Sequence, residues 1–215
     1  MSLCVYAIAA SGGPGITRAS AGARLTRVRV GRVDAIVERV GRAPRATPRA
    51  LQRYDRVLTS LWRRSSALLP VRFGTVVSDA EELGRLLEPR EAALVRQLSL
   101  VRNRAQMTVR VVASTNPARR RRRRARSGGE YLRQRAAAAR LETEAPELVP
   151  LRRAVERWIR AERVDRHLQV ATLCHLVPRA ATDRYASAIA HAARAASAAV
   201  LISGPNPPYA FADGW

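Results

Sequence analysis

Two short segments constrain the fold of this chain more than any other feature of its sequence. Residues 68–76 read LLPVRFGTV, and their alternation between two faces predicts a strand over 68–77. Gly74 lies inside that strand, where a missing side chain predicts close packing by a neighbouring group. Residues 203–211 read SGPNPPYAF and predict a turn whose prolines fix φ and remove backbone donors. Neither segment is a catalytic or ligand-binding signature, yet both are too specific to be generic core.

Helix and strand patterns alternate along the rest of the chain. Residues 28–40 predict either two strands or one kinked strand around Gly31. A helix follows Pro48, and its predicted apolar face comprises Leu51, Tyr54, Leu58, Leu61 and Trp62. The second half reads β-α-β-α-β, and a short extra strand near Val164 completes the ferredoxin-like order β-α-β-β-α-β. We predict an α+β protein of two ferredoxin-like α/β-sandwich domains, residues 1–104 and 105–215, with an Arg-rich loop at 117–127.

Charge is the most unusual property of the composition. The 215 residues include 39 basic and 17 acidic side chains, for a net charge of +22, and none of the basic residues is lysine. Such an excess predicts an anionic partner: nucleic acid, an anionic membrane surface or an acidic protein surface. The two cysteines, Cys4 and Cys174, lie in apolar runs and predict free thiols in a reducing cytoplasm. No apolar stretch reaches about 18 residues, so no transmembrane helix is predicted.

Residues that could support catalysis or bind a metal are few and scattered. His167 and His175 share one predicted strand but stand about 26 Å apart at its rise per residue, too far to hold one metal. Cys174 is predicted to face the core, with His175 on the opposite face, and a buried thiol in apolar surroundings is a poor nucleophile. No phosphate-binding or dinucleotide motif is present. The sequence therefore predicts no enzyme, no cofactor and no metal site.

Seven arginines crowd into residues 119–126. Such density favours a solvated loop, because mutually repelling charges do not pack. It also suits salt-dependent binding of phosphates, without the aromatic residues of a single-strand platform, or docking on an acidic protein surface. The candidate anion-binding residues are Arg119, Arg120, Arg121, Arg122, Arg123, Arg124 and Arg126.

The segments at 68–76 and 203–211, in this order and at this separation, resemble the GvpL/GvpF family of gas vesicle proteins. Further resemblances are the opening Val5-Tyr6-Ala7-Ile8, the helix at 51–58, the SGGEYL at 127–132 and the LVPR at 176–179. Together they span Leu3 to Phe211. Tyr54 stands where the family usually has a histidine, and Gln106 stands near where it often has a glutamate.

This resemblance implies a non-enzymatic accessory or minor structural protein of gas vesicle assembly, acting in the cytoplasm and at the gas vesicle. Its implied partners are the small hydrophobic shell protein and other accessory proteins. The alternative is a basic protein that binds nucleic acid through Arg119–Arg126. The predicted interface residues are Arg72, Phe73, Gly74, Thr75, Pro207, Pro208, Tyr209 and Phe211. The role of Arg72 stays open between that interface and pairing with Asp79, Glu81 or Glu82.

Overall fold

The computed structural model describes residues 1–12, 23–112, 148–167, 170–195 and 199–212. The chain divides into two compact units, one made of Met1–Met107, Leu176–Arg179 and Gly204–Trp215, the other of Thr108–His175 and Ala180–Ser203. The fold is α+β, as predicted, with two sheets and five α-helices among the described residues. The domain division at residues 104 and 105 stays a prediction, and the segment from Gly204 onward lies with the N-terminal unit.

The first sheet contains five strands: β1 (Ser2–Ala10), β2 (Leu25–Val30), β3 (Val33–Val40), β4 (Leu68–Pro70) and β5 (Val76–Val77). Their order is β2-β3-β1-β4, and β5 also pairs with β1. Every one of these pairs is antiparallel. Strand β1 is flanked on both sides and buried from Leu3 to Ala9, which explains why it is an unbroken apolar run without alternation.

A tight hairpin at Gly31 makes residues 25–40 two strands, one of the two predicted alternatives. Val30 pairs with Val33 across it, and Gly31 has φ +54°, as the first central residue of a type II′ turn requires. Helix α3 (Glu91–Val101) supports this turn, because the Glu91 carboxylate accepts the Arg32 N–H at 3.0 Å. A Cβ at position 31 would lie 2.5 Å from that carboxylate, so only glycine fits there without displacing it.

Helix α1 (Pro48–Arg64) begins at a cap that the sequence contains. The Thr47 hydroxyl oxygen accepts the Ala50 N–H at 3.2 Å, and Pro48 takes the first helical position, where no backbone donor is needed. The buried side chains are Tyr54, Val57, Leu58, Leu61 and Trp62. Leu51 was predicted on the same face, but in this first turn of the helix it is 45% exposed.

Helices α2 (Ala80–Leu87) and α3 complete the N-terminal unit. Its described elements follow the order β-β-β-α-β-β-α-α, and residues 13–22 between β1 and β2 lie outside the described residues. The strand order β2-β3-β1-β4, with antiparallel neighbours throughout, is compatible with the predicted ferredoxin-like sandwich.

The second sheet has the predicted ferredoxin-like order. Its strands are β6 (Arg104–Val112), β7 (Ala161–His167), β8 (Val170–Pro178) and β9 (Val200–Asn206), arranged β7-β8-β6-β9. Helix α4 (Leu148–Val155) precedes β7, and helix α5 (Thr182–Ala195) lies between β8 and β9. The described elements therefore run β-α-β-β-α-β, and β7 is the extra strand predicted near Val164.

Over residues 171–175, the buried face of β8 is the opposite of the one predicted. Ala171, Leu173 and His175 are buried, whereas Cys174 is only half-buried. Alternation separates the two faces of a strand but does not say which one meets the core. Here the polar His175 is buried because hydrogen-bond partners on β7 and α5 satisfy both ring nitrogens.

Candidate interaction surface

The predicted strand at 68–77 is interrupted by a turn at Arg72–Thr75. The Arg72 carbonyl accepts the Thr75 N–H at 3.2 Å and the Thr75 hydroxyl at 2.9 Å. Gly74, the third residue of the turn, has φ +84°, as a type II turn requires. A Cβ on Gly74 would meet no atom within 4 Å. The prediction of close packing at Gly74 is therefore wrong: the residue provides a backbone conformation.

Replacing Gly74 with alanine is expected to lower the free energy of unfolding by about 1–2 kcal/mol, the cost of holding an L residue in the left-handed region. Gly41 is a matched control, because it also has no atom within 4 Å of a Cβ and its φ is not in that region. Gly41→Ala should leave stability unchanged or raise it by up to about 1 kcal/mol. Urea denaturation measures both variants, and equal losses would contradict the turn assignment.

This turn is looped out of the pairing between β1 and the segment opposite it. The Tyr6 carbonyl accepts the Val71 N–H at 2.9 Å, and the Val5 N–H donates to the Thr75 carbonyl at 2.9 Å. Adjacent residues of β1 thus pair with residues four positions apart, so residues 72–74 stand outside the ladder. Both anchoring bonds fix the position of the loop on the sheet edge.

Tyr54 of α1 holds the base of this loop. Its ring stacks on Tyr6, with centroids 4.8 Å apart, and meets Phe73 edge-on at 5.2 Å. The Tyr54 hydroxyl donates to the Val71 carbonyl, and the Tyr6 carbonyl lies 3.3 Å from the same oxygen. Burial raises the pKa of Tyr54, and Cys4 and Tyr6 add to the rise, so the hydroxyl stays a donor at physiological pH.

A charged group lies beside these rings. Arg53 contacts both oxygens of the Glu38 carboxylate, at 2.8 and 3.2 Å, and Tyr6 donates to it at 2.8 Å. Burial alone would raise the pKa of Glu38, but the bonds from Arg53 and Tyr6 outweigh burial and lower it. Burial, with Glu38 nearby, raises the pKa of Cys4 to about 11. The Cys4 thiol is therefore protonated at neutral pH and is no nucleophile.

The C-terminal turn at Pro207–Phe211 is attached to Asp55, the residue that follows Tyr54 in α1. The Tyr209 hydroxyl donates to the Asp55 carboxylate at 2.7 Å. The Ala210 N–H donates to the side-chain oxygen of buried Gln106 at 2.7 Å, and Phe211 is buried. Pro207 and Pro208 are buried as well, so the turn is fixed at both ends and Tyr209 remains 40% exposed between them.

Helix α1 therefore brings the two predicted motifs together, Phe73 through Tyr54 and Tyr209 through Asp55. Leu51, one helical turn before Asp55, exposes an apolar side chain on the same side. Arg72 is also exposed. We call the set of Leu51, Arg72, Phe73 and Tyr209 the α1 surface.

Arg72 makes none of the ion pairs found among the described residues. The three carboxylates considered as its partners have other contacts. Asp79 caps α2 by accepting the Glu82 N–H at 2.9 Å, Glu82 binds Ser78 at 2.7 Å, and Glu81 pairs with Arg85 at 2.8 Å. The exposed guanidinium of Arg72 is thus available to a partner.

The C-terminal unit contains a hydrogen-bonded network centred on buried His175. Nε2 of His175 lies 2.7 Å from the Glu162 carboxylate, and Nδ1 lies 2.5 Å from the Tyr185 hydroxyl. Arg152 binds both oxygens of Glu162, at 2.7 and 2.9 Å. The His175 side chain is 0% exposed, so no molecule in the solvent reaches it. This hydrogen-bonded network therefore has a structural role.

Nearly the whole chain matches one known protein family. A model of the family "Gas vesicle synthesis protein GvpL/GvpF" matches residues 2–213. The chain belongs to the GvpL/GvpF family. It is 28% identical to "Gas vesicle protein F" of Streptomyces sp. (strain CB03234), in an alignment that covers 99% of this chain and 100% of that protein. The resemblance predicted from the sequence motifs is thereby confirmed.

Solved GvpF structures have the same fold. The crystal structure of GvpF from Anabaena sp. PCC7120 matches with a TM-score of 0.79 at 15% identity, covering 100% of this chain and 97% of that one. GvpF from Microcystis aeruginosa matches with a TM-score of 0.78 at 13% identity, covering 99% of each chain. At such identities the likeness establishes the α+β architecture of this GvpL/GvpF chain.

The predicted interface residues include Arg72, Phe73 and Tyr209 of the α1 surface but not Leu51, and Asp55, which binds Tyr209, was not predicted either. Asp55 was not singled out, because its partner Tyr209 is 154 positions away in sequence. Leu51 was assigned to the core. Tyr54 was predicted on the apolar face of α1, but neither Tyr54 nor Gln106 was predicted to hold a motif in place, as each does.

The remaining predictions concern the arginine-rich segment, metal binding and membrane-spanning helices. The candidate anion-binding arginines at 119–126 lie outside the described residues. Within the described ranges, no three His, Cys, Asp or Glu side chains come together as a metal site. None of the described helices is long and apolar enough to cross a membrane.

Proposed function

We propose that this chain is an accessory or minor structural protein of gas vesicle assembly, acting without catalysis in the cytoplasm and at the gas vesicle. Its proposed partners are the small hydrophobic shell protein and other accessory proteins. The interface comprises the turn at Arg72–Thr75 and the turn at Pro207–Phe211, together with Leu51. Membership of the GvpL/GvpF family supports the gas vesicle role.

One observation supports the binding surface above all others: two motifs far apart in sequence meet on adjacent residues of α1. Phe73 contacts Tyr54, and Tyr209 is bonded to Asp55. Buried Tyr54 fixes the first motif and buried Phe211 fixes the second, so a partner meets a preorganised surface and little ordering entropy is lost on binding. Aromatic side chains and an arginine beside them are the residue types that contribute most to protein interfaces.

The chemistry of the surface predicts what it binds. Leu51 and Tyr209 expose apolar area, which suits the apolar surface of a hydrophobic subunit. Arg72 adds a cationic edge for an acidic group or a carbonyl of the partner. The net charge of +22 also attracts acidic partners at long range, and salt weakens that attraction.

Capture of the co-expressed shell protein tests the proposal. Purification at about 0.1 M and about 0.5 M salt compares Debye lengths of roughly 10 Å and 4 Å. We expect capture to persist at high salt, because the α1 surface is mainly apolar. Phe73→Ala and Tyr209→Ala should each lower capture at least about tenfold, as loss of a central aromatic contact does.

Two matched controls give this test its specificity. Leu51 and Leu86 are each 45% exposed, so Leu51→Ala should lower capture while Leu86→Ala should not. Replacing Arg119–Arg124 with glutamine should leave capture intact. Capture that vanishes at high salt, or that follows the arginines and not the α1 surface, would show that charge holds the pair. Nucleic acid co-purifying in place of shell protein would overturn the proposal.

A further inference from the structure

The two edges of the second sheet differ sharply in charge. Strand β7 forms one edge and reads AERVDRH, in which four of seven residues are charged. Strand β9 forms the other edge and reads VLISGPN, which contains no charged residue. Charged side chains are the usual protection of an edge strand against pairing with another chain. Edge β7 is protected in this way, and edge β9 is not.

The edges of the first sheet are also protected. Strand β2 carries Arg27 and Arg29, whose guanidinium groups lie 3.2 and 3.3 Å from the Asp34 carboxylate. The opposite edge consists of β4 and β5, with three and two residues, interrupted by the turn at Arg72–Thr75. Short, broken strands offer little to a pairing chain. Among the described strands, β9 is thus the exception.

Strand β9 also exposes apolar area. Leu201 is 60% exposed, the largest fraction among the described large apolar residues after the N-terminal Met1. Val200 and Ile202 on either side are half-buried. Strand β9 is an edge strand, so its outer row of backbone groups points sideways in the plane of the sheet. The Leu201 side chain stands out from the sheet face beside that row.

We propose that Val200–Ser203 of β9 binds an extended, uncharged segment of the small hydrophobic shell protein by strand addition. Backbone hydrogen bonds would supply affinity, and an apolar side chain opposite Leu201 would supply selectivity. This inference rests on the proposed function, whose partner it specifies further. The site ends before Gly204 because the next residue, Pro205, has no N–H to donate.

Charge selects this occupant over a second copy of the chain. Each copy carries a net charge of +22, and like charge opposes self-association. A charged strand would lose solvation against the uncharged β9 without gaining a partner for its charge. An uncharged segment of a hydrophobic subunit is not repelled by the net charge of this chain, and it has no charged group that would lose its solvation. Four paired residues form a small contact, so the complex dissociates readily. Reversible binding of this kind suits transient handling of a subunit.

The substitution Leu201→Lys tests the inference in the full chain co-expressed with shell protein. It introduces the protection that other edges carry. Val164→Lys is the matched control, because Val164 lies on the opposite edge of the same sheet and is 41% exposed. We expect Leu201→Lys to lower capture at least about tenfold and Val164→Lys to change it less than twofold. Leu201→Thr, which keeps a strand-forming residue, should give an intermediate loss and serves if the lysine variant does not fold.

Backbone pairing has a readout of its own. In the purified complex, hydrogen exchange of the amides at 200–203 should slow relative to the free protein, while β7 amides should be unchanged. Full capture by Leu201→Lys, or no added protection at 200–203, overturns the inference but leaves the proposed function standing if Tyr209→Ala still loses capture. No capture by the unmodified chain overturns both. A dimer that Leu201→Lys converts to a monomer would identify a second copy as the occupant and overturn the inference.

Discussion

Replacing Tyr54 with alanine is expected to lower the free energy of unfolding by about 3–5 kcal/mol, the usual cost of truncating a buried aromatic residue. The ring is buried between Tyr6, stacked at 4.8 Å, and Phe73, edge-on at 5.2 Å. Its loss leaves a cavity at the base of the looped-out turn. Urea denaturation followed by circular dichroism measures the effect. A loss below about 1 kcal/mol would mean that the ring does not hold this part of the core.

Two milder substitutions at Tyr54 separate the ring from its hydroxyl. Tyr54→Phe keeps both aromatic contacts but removes the donor to the Val71 carbonyl, so we expect a loss of about 1–2 kcal/mol, as for one hydrogen bond in a buried setting. Tyr54→His introduces the residue that the family resemblance leads us to expect at this position. It should cost less than alanine, because an imidazole N–H can donate to the same carbonyl. A histidine variant as unstable as the alanine variant would contradict this explanation.

Loss of Tyr54 should also weaken capture of the shell protein, because Phe73 then lacks its support. The position of Phe73 depends on Tyr54 and on the turn at Gly74, whose φ is +84°. In Tyr54→Ala, both stability and capture should fall. In Tyr209→Ala, which removes a half-exposed side chain, capture should fall by much more than stability. This contrast separates residues that support the α1 surface from residues that contact a partner.

Strand alternation made several strands of the C-terminal unit predictable. Met107 to Val111 alternates between apolar and polar residues, and β8 was predicted as a strand although its buried face was not. The order β-α-β-β-α-β then followed, down to the short strand near Val164. In the N-terminal unit, the hairpin at Gly31 is also a local signal, but it shows only that two strands are adjacent. The order of strands across a sheet depends on contacts between distant residues, which local patterns do not contain.

The α1 surface shows the same limit at the level of a site. Residues 68–77 alternate as a strand does, so the turn that projects Phe73 had no separate signal except Gly74. The bond between Asp55 and Tyr209 joins residues 154 positions apart, beyond the reach of any spacing rule. His175 is buried, contrary to prediction, because Glu162 and Tyr185 meet it from other elements. The family resemblance was confirmed because it compares the whole arrangement of segments along the chain, whereas the interface residues that it implies stay predictions.

The C-terminal unit is expected to lose stability in mild acid through His175. Burial lowers the pKa of His175 from its usual value near 6.5, and the bond with Glu162 offsets only part of that effect. The neutral ring fits its partners: Nε2–H donates to the Glu162 carboxylate, and Nδ1 accepts from the Tyr185 hydroxyl. Protonation would aim a second N–H at the Tyr185 oxygen and leave the Tyr185 proton without this acceptor.

The direction of the pH effect follows from the sign of the shift. Below about pH 6.5 the unfolded chain binds a proton at His175 that the folded chain still refuses, so unfolding becomes favoured as pH falls. The contribution of His175 to the free energy of unfolding is complete above about pH 6.5. It declines as the pH falls toward the lower pKa of the folded state, by at most about 1.4 kcal/mol per pH unit. Glu162 acts at lower pH: burial would raise its pKa, but Arg152 and His175 lower it below 4.5, so its contribution is lost only as pH falls further.

Denaturation of the full chain at pH 7.5, 6.5, 5.5 and 5.0 measures this slope. His175→Gln removes the titrating group and keeps an N–H that can donate to Glu162, so its stability should fall less steeply between pH 6.5 and 5.0 than that of the unmodified chain. His191→Gln is the matched control, because His191 is exposed on α5 and should retain the original slope. A slope that persists in His175→Gln but disappears in His191→Gln would show that the buried ring is not the acid-sensitive group. Equal slopes in all three proteins would place the acid sensitivity among the carboxylates.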